Sequence, residues 1–65
     1  MVLGMTARSE FNAWRAHTAE AALFYNAHGG EAMNARDRRH YAGLVFEIGA
    51  IATAMDVAYQ LERES

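Results

Sequence analysis

The chain has 65 residues, with no cysteine, no proline and no lysine; six arginines face eight acidic side chains for a net charge of −2. One domain is the most this length holds. Disulfides and thiolate metal sites are excluded, and a hydrophobic content of 52% argues against intrinsic disorder. A core this small barely offsets an ordering entropy of about 1.5 kcal/mol per residue. With disulfides gone and no metal set evident, association with another chain is the expected source of stability.

Residues 1–5 read as an N-terminal arm in which Val2, Leu3 and Met5 cover an open end of the core. They contain no long apolar region and no cleavage pattern, so no signal peptide is expected, and lack of cysteine fits a cytoplasmic protein. Thr6 or Ser9 is the expected N-cap of a first helix, because a hydroxyl there accepts a bond from a helix N–H that has no partner in the first turn. Glu10 suits the positive end of the helix dipole. The first helix is predicted over about residues 6–27. Phe11, Trp14, Thr18, Ala21, Ala22 and Tyr25 recur at spacings of three and four and form its expected inward stripe. Leu23 and Phe24 fall off that stripe and suggest a second contact near the helix end.

His28-Gly29-Gly30 is the strongest break in the chain, since glycine just past a helix adopts the left-handed conformation that closes the last turn. Glu31-Ala32-Met33 is a linker or an early turn. Asn34 with Asp37 three residues on resembles a capping box and opens a second helix over about residues 35–63. So short a connection makes the helices antiparallel neighbours. Gly43 and Gly49 are the positions where this helix could break in two.

The second helix carries Tyr41, Leu44, Ile48, Ile51, Met55 and Ala58 at helical spacing, widened by Val45 and Ala52; this is the expected seam against the first helix. Its far side should be polar in a lone hairpin. Instead it holds Gly43, Phe46, Ala50, Ala54, Val57 and Leu61. A helix apolar nearly all round is covered on two sides, and one short helix cannot cover both. Phe46, Ala50, Val57 and Leu61 are therefore the expected oligomer interface. The fold expected is all-α, an antiparallel two-helix hairpin that dimerises into a four-helix bundle. The run from Tyr41 to Met55 is shorter than a bilayer span and contains Glu47, so no membrane role is expected.

Candidate chemistry is sparse. Arg36, Arg38, Arg39 and His40 form one basic cluster at the start of the second helix, where arginine opposes the helix dipole. They are the expected partner-binding residues, and the cluster could meet nucleic-acid phosphates. Residues 31–40 come to +1 (Arg36, Arg38, Arg39 against Glu31, Asp37), whereas 41–65 come to −3 (Arg63 against Glu47, Asp56, Glu62, Glu64), which argues against a continuous basic track. Asp37 with His40, and His17 with Glu20, have the spacing of helical metal ligands, but the first pair sits among arginines and only Glu47 could complete a set; no metal or cofactor is expected. Glu47 and Asp56 are the only charges in the apolar stretch. Glu47 is placed away from the seam, and either could pair with an arginine such as Arg15 across an interface. No nucleophile–base pair or phosphate-binding loop accompanies them, so catalysis is not expected. The function expected is a small non-enzymatic interaction protein, a regulator or inhibitor that occupies a partner protein's surface, of the kind phages and mobile elements direct at host machinery. The alternatives are a nucleic-acid-binding dimer and a structural subunit of a larger assembly.

Overall fold

A computed structural model describes residues 6–64; the arm assigned to Val2, Leu3 and Met5 lies outside the described residues. Two helices, α1 (Ala7–Ala27) and α2 (Ala35–Glu64), are joined by a single 3-10 turn at Gly30–Ala32. The helices run antiparallel. Ala7 at the start of α1 meets Glu62 near the end of α2, His17 meets Glu47, and Tyr25 meets Tyr41 beside the connection. The all-helical hairpin expected from the periodicity is therefore present, and α2 runs unbroken through Gly43 and Gly49.

Local chemistry explains the boundaries. Thr6 is the N-cap of α1, and its Oγ1 accepts from the Ser9 N–H at 3.0 Å while the Ser9 hydroxyl oxygen accepts from the Thr6 N–H at 3.0 Å. Both hydroxyl candidates thus serve one capping box. At the other end, the His28 N–H bonds the Phe24 carbonyl, and Gly29 and Gly30 follow with φ of 99° and 58°. A side chain at Gly30 would be strained twice, by its backbone and by a Cβ 3.3 Å from the Tyr25 ring. Asn34 Oδ1 accepts from the Asp37 N–H at 2.8 Å, which caps α2 as its sequence suggests. Arg38 donates to the Met33 carbonyl at 3.0 Å and ties the connection to the first turns of α2.

The seam of α2 is as expected: Leu44 and Ala58 are buried, and Tyr41, Ile48, Ile51, Ala52 and Met55 are half-buried. Val45 is not part of it and stands exposed, while Ala54, expected on the far side, is half-buried. The stripe on α1 is rotated from the expected one. Trp14, Thr18, Ala21 and Tyr25 face inward, but Phe11 and Ala22 are exposed, and His17 and Phe24 take their share of the inward side. The physical reason is area. A stripe through Phe24 and Tyr25 places two rings against α2, where Phe24 packs at a tilt on His40 and Tyr25 on Tyr41, whereas one through Ala22 places a single methyl. Leu23 stays 71% exposed, so of the pair read as a second contact only Phe24 makes one.

Only Ala21, Met33, Leu44 and Ala58 are buried among the described residues. The hairpin is a rod of 47 × 17 × 15 Å with a radius of gyration of 14.6 Å, against about 11 Å for a compact domain of this length.

One bond at the open end of the hairpin was not legible in the sequence. Glu62 Oε2 accepts from the Ala7 N–H at 2.7 Å and satisfies a first-turn donor of α1 from the opposite helix. Replacing Glu62 by alanine is expected to cost about 1 kcal/mol and to speed amide exchange at residues 7–10 selectively. Unchanged exchange there by NMR would show that the bond does not hold α1's first turn.

Candidate functional site

Two surfaces remain once the seam is formed. The larger runs along the outer side of α2. Each residue advances about 100° around the axis, so with Leu44 pointing inward, Phe46, Ala50 and Val57 lie on the far side, with Val45 and Leu61 toward opposite flanks. Phe46 is 78% exposed, and Val45, Val57, Tyr59 and Leu61 are each about half exposed. The residues between them are small: Ala42, Gly43, Gly49, Ala50 and Thr53 are all exposed. A Cβ built on Gly43 or Gly49 meets nothing within 4 Å. A glycine inside a helix costs about 1 kcal/mol relative to alanine, and nothing within the hairpin uses the space these two leave. The Thr53 hydroxyl turns back to the Gly49 carbonyl at 3.1 Å, so its methyl is what it adds to the apolar side. All four residues named for the oligomer interface, Phe46, Ala50, Val57 and Leu61, are thus exposed on this part of α2.

By length and composition alone α2 could cross a membrane, because the helix extends well beyond the Tyr41–Met55 run; 11% of its most apolar 18-residue stretch is buried within the fold. The core helix of a soluble protein meets the same criterion. Glu47 and Asp56 lie inside the apolar stretch, and α1 carries Arg8, Arg15 and Glu20 along the same rod.

The second surface is at the connected end. Arg36, Arg38, Arg39 and His40 are all exposed. Arg38 and Arg39 flank an open depression of about 400 Å³ whose remaining walls are Ala35 and Ala42. Arg38 is the fixed member, through its bond to Met33. His40 differs from the arginines because its ring packs 4.6 Å from Phe24, which also stacks on His28 at 4.0 Å. His28 Nδ1 lies 3.0 Å from the Phe24 carbonyl and donates to it. Phe24 and His28 share the i, i+4 spacing of one helix, but His40 joins their cluster only after the chain turns, which no spacing on a single helix reveals.

The remaining charged candidates stay apart. His17 Nε2 lies 3.6 Å from Glu47 Oε2, so Glu47 reaches the edge of the seam rather than the side away from it. His17 Nδ1 is 2.9 Å from the Ala13 carbonyl and must carry a proton to bond it. Nε2 then has no proton in the neutral ring, and only the imidazolium attracts Glu47. Both side chains are open to water, at 35% and 60%, which leaves the pair little energetic weight. Glu20, Asp37 and Asp56 do not join it, and no group of three or more metal-ligating side chains occurs among the described residues. Arg15 and Asp56 show no ion pair with each other. Arg63 instead lies over the Tyr59 ring at 5.8 Å.

No family model matches the chain, and no curated protein and no solved structure shows significant similarity to it.

Proposed function

We propose that this chain is a small non-enzymatic helical interaction protein, a regulator or inhibitor that acts by binding a partner protein, and that it works as a homodimer in which two hairpins form a four-helix bundle. The observation that carries the reading is the surplus of apolar surface on α2. On that helix Val45, Phe46, Val57, Tyr59 and Leu61 are between 45% and 78% exposed, and an apolar side of that kind marks an interaction surface. Phe46 stands near the middle of that surface, where aromatic anchors carry binding energy. Pairing on α2 leaves the exposed side of α1 free and, at the connected end, Arg36 and His40, which are exposed and are the groups offered to an acidic partner surface.

Contact with nucleic-acid phosphates is a second reading, favoured by Arg38 and Arg39 beside the open depression. Glu62 and Glu64 at the far end of α2 weigh against an extended phosphate track.

Sedimentation equilibrium tests the dimer. The expected mass is twice the 7.2 kDa chain mass at micromolar concentration; a fully helical species that stays at one chain mass rejects it. A salt titration with RNA and DNA separates the two readings. Affinity that falls steeply with salt establishes phosphate contact, and no binding even at low salt removes it.

A further inference from the structure

We infer that the second copy lies antiparallel along α2, with the two-fold axis on the outer side at the level of Ile48, between Phe46 and Ala50, so that Phe46 of each chain seats over Gly49 and Ala50 of the other. This rests on the homodimer reading above and adds orientation and register to it.

The outer side of α2 has one large knob and three notches. Phe46 is the knob, 78% exposed. Gly43, Gly49 and Ala50 are the notches, and open space surrounds both glycines. Knob and notch are on the same helix, so the surface is complementary to itself only if the copies are offset. A parallel pair sets Phe46 against Phe46 and glycine against glycine, which leaves a void beside a clash. An antiparallel pair about Ile48 makes residues equally far before and after it face each other. Phe46 then meets Ala50 with Gly49 alongside, Gly43 meets Thr53, and Arg39 meets Val57.

Charge agrees with the same register. In an antiparallel pair like flanks meet. Arg38 and Asp56 lie on the same flank of α2, five turns apart at about 3.6 residues per turn, one near each end of the apolar side. Reversal about Ile48 brings Arg38 and Arg39 of one chain beside Asp56 of the other at both ends. A parallel pair instead sets Arg39 against Arg39, and like charges across an interface oppose it. Arg39 thus gains a carboxylate partner, and Arg38 gains one in addition to its bond to the Met33 carbonyl.

A single distance decides the matter. The chain has no cysteine, so Gln60→Cys carries one spin label per protomer at an exposed flank of α2. In the proposed register Gln60 faces residue 36, and the two labels stand about 36 Å apart along the axis at 1.5 Å per residue. Double electron–electron resonance on the intact protein is expected to give a distance near that value, with circular dichroism confirming unchanged helix content. A distance under about 20 Å means parallel chains, and one near 25 Å means a register slid by one heptad; either overturns this inference while the dimer stands. Absent dipolar modulation together with a one-chain mass overturns both.

Discussion

Replacing Phe46 by glutamate is expected to turn the proposed dimer into a monomer without damaging the hairpin. The two effects separate because Phe46 touches little of its own chain, being 78% exposed. Glutamate is also a better helix former than phenylalanine, so α2 loses nothing locally. Across the interface the change is severe. A central aromatic anchor is worth about 2 kcal/mol or more when truncated, and two-fold symmetry removes two anchors at once. The expected loss is about 4 kcal/mol, or roughly a thousandfold in the dissociation constant. Sedimentation velocity across a dilution series reads it directly. A variant that dimerises like the parent would mean that the outer side of α2 is simple surface, and the proposed assembly would have to use another face.

Leu44→Ala is expected to have the complementary effect, with the hairpin itself failing. Leu44 is the only large aliphatic side chain of α2 that is buried, at 8% exposure, among the described residues. Leucine-to-alanine changes at such sites cost about 2–5 kcal/mol through lost transfer energy and the cavity left behind. A chain of this length has a total stability of only about 3–10 kcal/mol. The substitution therefore removes a large fraction of what holds the fold, and the urea midpoint should drop sharply at every protein concentration. The parent midpoint should instead rise with concentration, because dimerisation stabilises by mass action, and Phe46→Glu should abolish that rise. A Leu44→Ala change below about 1 kcal/mol would show that the seam is not the main source of stability.

How much of this was legible beforehand differs between the two helices. On α2 the apolar residues are numerous and evenly spaced, and Tyr41, Leu44, Ile48, Ile51, Met55 and Ala58 all came out on the inward side. The caps were equally readable, since Thr6 and Asn34 act on their own backbone within three residues. On α1 the apolar residues are fewer and include five alanines between Ala13 and Ala22, so several stripes fit the spacing nearly as well. What selected the observed rotation was the pair of ring contacts from Phe24 and Tyr25 to His40 and Tyr41. Those partners are across the turn and invisible to a periodicity on one helix. For the same reason Glu47 was placed on the wrong side of its helix edge, because its long side chain reaches His17 from a position that the angle alone puts outside the seam. The exposure of Phe46, Ala50, Val57 and Leu61 was legible too, because the same spacing that turns Leu44 and Ala58 inward turns these four away from α1.

The bond from Ala7 to Glu62 spans 55 residues, while the Tyr25–Tyr41 contact spans 16. Closing the longer loop from an unfolded chain costs about 1 kcal/mol more entropy than closing the shorter one. Contacts between the helices are therefore expected to form in order of distance from Gly29 and Gly30, as a zipper that starts at the turn and ends at the Glu62 bond; substitutions near the turn should then slow folding and those at the open end speed unfolding, which φ-value analysis checks. In that sense the turn sets how fast this rod assembles, and the Glu62 bond sets how readily it begins to come apart.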